Sequence, residues 1–228
     1  MRLRRFLARH EAEIGRPLSV LHNRYGWGTV LLVGLVWIAI CGLFLLHPDF
    51  SALQKVAACG ISGLAGLAVL LLTAGEVLVV CERGMVFGPS GPLRRPFVVT
   101  YGQITVGSMV PVHRSRLYPR TTGKFGRTST IRNPAWVNHG LHFVGPSPQE
   151  AGRPGSSFST RGARSIDDRC IWFVGTGKTP PEQVTAMIAQ AARAAGWRQF
   201  ASATAAARPR ELTGRRGDAP RLLPGYRA

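Results

Sequence analysis

The residues best suited to chemistry in this chain do not assemble into a complete motif. Gly175-Thr176-Gly177-Lys178-Thr179 ends like a phosphate-binding loop, in which backbone N–H groups cradle phosphates and the lysine reaches them. The full pattern needs a glycine five residues before Gly177, where Trp172 stands, and Pro180 and Pro181 follow at once. Each proline removes an N–H donor close to where a phosphate would be held. The stretch therefore reads as a strand-to-helix turn. His139 and His142 are three apart near a strand, and alternation places an odd separation on opposite faces, a poor metal pair. Asp167-Asp168 is the only acidic doublet, and no Asp or Glu lies near the histidines in sequence. Cys41, Cys59, Cys81 and Cys170 show no metal spacing and read as reduced, apolar thiols. Arg216-Gly217-Asp218 resembles an adhesion tripeptide by chance. The expectation is no enzyme, no catalytic residue, no metal and no cofactor.

Charge gives the stronger signal. The chain carries 29 Lys and Arg against 11 Asp and Glu, a formal net charge of +18. Arg94, Arg95, Arg114, Arg116, Arg120, Lys124 and Arg127 concentrate in Gly-, Pro- and Ser-containing segments. Beside an anionic surface each such cation contributes about 1 kcal/mol, so these seven are the candidate lipid- or partner-binding residues. The plain alternative is a solvated, solubilising surface. Nucleic acid is an unlikely partner, because no recognition helix or stacking-aromatic module accompanies the charge.

The elements that would position these residues begin with two apolar runs, 27–46 and 56–74, neither holding a charged side chain. Each is close to the ~20 residues that a helix needs to cross a bilayer core, and helix is the open-chain solution that satisfies backbone polar groups there. The expectation is a transmembrane helical hairpin. Twenty-six mostly polar residues precede the first run, unlike a cleaved signal peptide. Arginines 2, 4, 5, 9, 16 and 24 precede the hairpin, most remaining basic residues follow it, and the link holds only Asp49 and Lys55. Positive flanks stay inside, so the expected location is the plasma membrane, multi-pass, with both termini cytoplasmic. Gly60, Ser62, Gly63 and Gly66 are the candidate helix-packing residues, since small side chains let helices approach closely.

After the hairpin, short β-rich runs recur: 76–81, 85–88, 97–100, 104–110, 135–138, 141–144 and 171–175, bounded by Gly, Pro or Asn. Val184, Met187, Ile188, Ala191, Ala192 and Ala195 then recur at helical spacing. Thr179 and Glu182 have the spacing of a capping box, and Gly196 supplies a stop. The domains read as a basic arm (1–26), the hairpin (27–74), a cytoplasmic domain (75–200) and a disordered basic tail (201–228).

Two apolar helices followed by strand–turn–strand, then Tyr101-Gly102-Gln103-Ile104, more strands and one closing helix resemble the bacterial PH-like domain of small membrane proteins. The resemblance covers about 76–197, and Gln103 stands where that family often has an acidic residue. It implies a fold class of membrane helical hairpin plus a mainly-β (α+β) domain, with about seven short antiparallel strands capped by one C-terminal helix. It implies no enzyme activity. The functional expectation is a non-enzymatic integral membrane protein presenting this domain for protein-partner or anionic-lipid binding, with membrane lipids and a protein partner or second copy as its contacts. The alternative is an accessory subunit of a larger membrane complex, packed through its helices.

Overall fold

The computed structural model describes residues 3–23, 27–73, 76–89, 96–122, 129–130, 138–152 and 169–226. The chain divides into two compact units, one formed by 1–23 with 76–228 and the other by 24–75.

The first unit is built around β2 (Glu76–Cys81), whose residues after Glu76 are all buried. Alternation sends successive side chains to opposite faces, so both faces need a cover. Leu78 and Val80 enter one core; Val77, Val79 and Cys81 enter another. The second core is closed by α1 (Leu3–Ile14), which buries Phe6 and Ile14 with Leu3 and Leu7 beside them. This apolar stripe runs through a segment that composition marks only as a basic arm. Gly15 ends the helix at φ +75°, the left-handed conformation suited to that position. From the turn after β2, Arg83 Nη2 donates to the carbonyls of Glu11 and Ala12, at 3.2 and 2.7 Å. Glu82 accepts the Arg16 N–H at 3.0 Å.

β1 (Pro17–Asn23), β2, β3 (Gly84–Pro89) and β4 (Phe97–Thr100) form an antiparallel four-stranded sheet in that order. The second sheet has the order β6-β8-β7-β5-β9, from β5 (Val110–His113), β6 (Ser129–Thr130), β7 (His139–Gly145), β8 (Cys170–Gly175) and β9 (Arg210–Glu211). Its β6·β8 and β5·β9 pairs are parallel and the rest antiparallel. Between the sheets Trp172 meets Phe87 and Phe97 edge-on, with ring centroids 5.3 and 4.9 Å apart, and its Nε1–H donates to Pro146 O at 2.8 Å. After β5 come a 3-10 turn (Ser115–Leu117) and α4 (Tyr118–Thr122). α5 (Pro181–Ala194) closes the main core with Val184, Ile188, Ala191 and Ala192. Gly196, at φ +89°, ends that run, and α6 (Arg198–Ala205) adds Phe200 and Ala201.

The fold class is therefore corrected. Two sheets, with parallel pairs among the described strands, replace about seven antiparallel strands capped by one helix. The extra elements come from segments read as arm and tail: 3–23 supplies α1 and β1, and 201–226 supplies part of α6, β9, a 3-10 turn (Arg216–Asp218) and α7 (Ala219–Leu222). Leu212 and Leu223 anchor the C-terminal segment on Val110, Val112, Tyr118 and Phe173.

In the second unit, α2 (Trp27–Leu46) and α3 (Ala52–Thr73) form a hairpin. Ser51 and Gln54 exchange capping hydrogen bonds, and Lys55 Nζ donates to Leu45 O at 2.9 Å. The expected bilayer-crossing hairpin is also corrected, because among the described residues no helix is long and apolar enough to cross a membrane. α3 also begins at Ala52, ahead of the expected 56, and so takes in Gln54 and Lys55. The multi-pass plasma-membrane location rested on those spans and falls with them. Leu31, Leu35, Ile38, Leu43, Ile61 and Leu64 are each more than half exposed in this unit.

Replacing Trp172 by alanine is expected to cost about 3–5 kcal/mol, the usual range for emptying a buried aromatic site. Trp172→Phe keeps most of the ring contact and costs less. Guanidinium chloride midpoints measure both, and a Trp172→Ala loss below about 1 kcal/mol would show that these rings do not hold the sheets together.

Candidate functional site

The polar side chains that the fold brings together lie at one end of the second sheet. In β5, Val110 and Val112 face the core beneath the C-terminal segment, so alternation turns His113 to the other side, toward α5. His113 is in register with His139 of β7 and with Glu211 of β9. The two histidine Nδ1 atoms are 3.2 Å apart, with the rings edge-on at 81°. On its other side, His113 Nε2 is hydrogen-bonded to Glu182 Oε1 in the first turn of α5. A carboxylate only accepts, so His113 carries its proton on Nε2 and turns the Nδ1 lone pair toward His139. Burial acts to raise the Glu182 carboxyl. The His113 hydrogen bond and a backbone N–H outweigh it and hold the group below the usual carboxylate range.

Glu182 thus does not close a capping box with Thr179; Pro180 occupies the cap position and no side chain bonds there. Thr176 N donates to His139 O and Thr179 N to Thr176 O, which makes 175–179 a tight turn with Gly177 at φ +66°.

Past His113 the backbone turns sharply. Arg114 sits at φ 54°, ψ 39°, a left-handed conformation uncommon for a side chain other than glycine, and its Nε meets Glu211 Oε1 at 2.8 Å. The chain then passes through the 3-10 turn into α4, leaving Arg116 and Arg120 exposed. The C-terminal segment packs against α4: Gly214 N donates to Thr121 Oγ1 at 3.0 Å. This brings Arg215 and Arg216, both exposed, to the same edge. Asp218 lies 3.8 Å from Arg221, and among the described residues no ion pair engages Arg116, Arg120, Arg215 or Arg216.

What fastens the segment is buried. His142, on the face of β7 opposite His139, is fully enclosed; its Nδ1 accepts from Tyr118 OH at 3.0 Å and its Nε2–H donates to Pro224 O at 2.7 Å. Burial pushes the imidazole down to about 4, against an ordinary 6.5, and the bond to Pro224 offsets that only in part. Beside this segment, Pro224 and Gly225 join Ile104, Thr105, Val106, Ser108, Val144 and Arg169 around a cleft of about 550 Å³. Arg169 Nη1 donates to Gln103 O at 2.8 Å, and Ser108 Oγ is spent on Thr105 O and Val144 N.

Of the candidate binding residues, Arg114, Arg116 and Arg120 lie together on this arginine face, whereas Arg94, Arg95, Lys124 and Arg127 fall outside the described residues. Of the packing residues, Gly63 faces Trp37 Nε1, 3.0 Å from where a Cβ would stand, and Gly66 faces Val33 at 4.0 Å. Gly60 faces open space, and Ser62 Oγ bonds within its own helix to Cys59 O. Sequence reasoning missed His113, Glu182 and the C-terminal arginines. The first two are far apart in the chain, but Leu212, Leu222, Leu223 and Tyr226 were an apolar signal that the tail docks.

No family model matches the chain, and comparison with curated proteins and with solved structures finds no match. The resemblance to the bacterial PH-like domain is withdrawn with the membrane hairpin that formed half of it.

The buried histidine makes a pH prediction. The unfolded chain takes up a proton on His142 near pH 6.5, while the folded chain resists until about 4. Stability is therefore full above 6.5 and falls as pH drops toward 4, by about 3 kcal/mol in all. Denaturant midpoints between pH 7 and 5 should show the decline in the native chain and a flatter profile in His142→Asn; equal slopes would refute the assignment.

Proposed function

We propose that the α+β unit is a non-enzymatic binding module whose arginine face takes a partner presenting clustered phosphates, as anionic phospholipid headgroups do. The observation that supports this is the convergence of Arg116 and Arg120 with Arg215 and Arg216. Two segments almost a hundred positions apart in the chain are joined where Gly214 N donates to Thr121 Oγ1, so that four exposed arginines stand on adjoining stretches of backbone. The guanidinium group is planar, always charged and matched to phosphate by a two-pronged hydrogen bond, and it sheds water more readily than an ammonium. A surface that served only solubility would gain nothing from holding a long C-terminal segment in place to double its arginines. The acidic residues at the edge, Glu211 and Asp218, are each engaged with an arginine or a hydroxyl.

Co-sedimentation of the full chain with vesicles provides the test. Phosphatidylglycerol vesicles should retain more protein than phosphatidylcholine vesicles, and the difference should shrink as salt screens the charges. Each of R116Q, R120Q, R215Q and R216Q should weaken the preference about fivefold, the equivalent of ~1 kcal/mol per cation. Equal retention on both vesicle types, or an unchanged preference when all four are replaced, would overturn the reading. An acidic protein that competes with neither vesicle type would point to a protein partner at another surface.

A further inference from the structure

We propose that His113 and His139 form a two-histidine site for a borderline divalent transition metal, with Zn²⁺ as the representative ion, and that Glu182 is its positioning carboxylate. Two imidazole nitrogens on one tetrahedral zinc ion, each at about 2.0–2.1 Å, are about 3.3 Å apart. The two Nδ1 atoms stand at 3.2 Å.

The arrangement is held by the backbone. His113 and His139 are register partners on neighbouring antiparallel strands, and β5 is flanked on its other side by β9, so neither can slide without breaking the sheet. The second nitrogen of His113 is committed to Glu182. That contact leaves the Nδ1 lone pair free to bind and fixes the orientation of the ring, the outer-shell pattern typical of metal-bound histidines. His113 is one-third exposed and His139 half-buried, so an ion and its waters can reach the pair.

Among the described residues no group of three or more His, Cys, Asp or Glu side chains surrounds a common point. The described residues therefore supply two ligands, and solvent completes the shell around them. Such a site is exchangeable, and its nitrogen ligands favour Zn²⁺, Cu²⁺ or Ni²⁺ over Mg²⁺ or Ca²⁺. Without metal, the same geometry is a hydrogen bond in which His139 Nδ1–H donates to His113 Nδ1. On binding, His139 releases that proton to solvent and takes one up at Nε2, so both rings bind as neutral imidazoles with no net change in protons. Sequence spacing hid the site because it drew attention to His139 and His142, which the strand separates onto opposite faces.

The test is zinc titration of the tag-free full chain, followed through the ¹⁵N resonances of the histidine rings. One equivalent should shift the nitrogens of His113 and His139, while those of enclosed His142 stay in place. This measurement needs no variant and stands even if one fails to fold. Competition with a chromophoric chelator then compares variants. His113→Ala and His139→Ala should each lose at least tenfold in affinity, and Glu182→Gln about tenfold with stoichiometry unchanged. Unmoved His113 and His139 resonances at millimolar zinc, or a double histidine variant that binds as tightly as the native chain, would overturn the proposal.

Discussion

The constraint on which the fold depends is the double burial of β2. A strand reading Val77-Leu78-Val79-Val80-Cys81 is apolar on both faces, and a single further layer satisfies only one of them. The second sheet covers Leu78 and Val80. Phe6 and Ile14 of α1 cover Val77, Val79 and Cys81. The N-terminal segment is therefore part of the unit despite the helical hairpin inserted between it and β2. Arg83 and Glu82 complete the joint by bonding the end of α1 and the start of β1 from the β2–β3 turn.

A similar logic holds the other end of the chain. The face of the second sheet that bears Val110, Val112 and Phe173 is closed by Leu212 and Leu223. At the centre of that contact lies a histidine rather than a leucine. Buried His142 bonds Tyr118 and Pro224, which fixes the register of the C-terminal segment in a way that apolar contact alone does not. Burial disfavours the charged imidazole, so the neutral form is what the packing selects.

Legibility followed the range of the interactions. The β-rich run of 76–81, the turn after it, the helical period of 184–192 and the stop at Gly196 were all readable, because strand, turn and helix signals are local. The capping box was misread for the opposite reason. Thr179 and Glu182 have its spacing, but Pro180 takes the cap position and His113, distant in sequence, claims the carboxylate. The ends of the chain were misjudged because arginine stands out in the arm, and arginine with alanine in the tail, whereas apolar residues among them, such as Phe6, Ile14, Leu212 and Leu223, decide where they pack. Of the candidate site, the arginines of 114–120 were visible; their partnership with 215–216 depends on that packing.

The histidine pair and the arginine face share a stretch of backbone, and the left-handed turn at Arg114 separates their tasks. His113 is the last residue of β5, and its side chain goes to the α5 side of the sheet. One residue on, the sheet direction is abandoned, which sends the following residues into the turn that displays Arg116 and Arg120. A β-conformation at Arg114 would extend the strand and carry those arginines away from the C-terminal segment. The ion pair from Arg114 to Glu211 sits where that choice is made, and β9 brings Glu211 there by pairing alongside His113. The docked tail therefore acts twice: it contributes arginines of its own, and it holds the turn that presents the others. Loss of its buried anchor at His142 would loosen both halves of the face together, even though the hydrogen bonds of that histidine go to Tyr118 and Pro224.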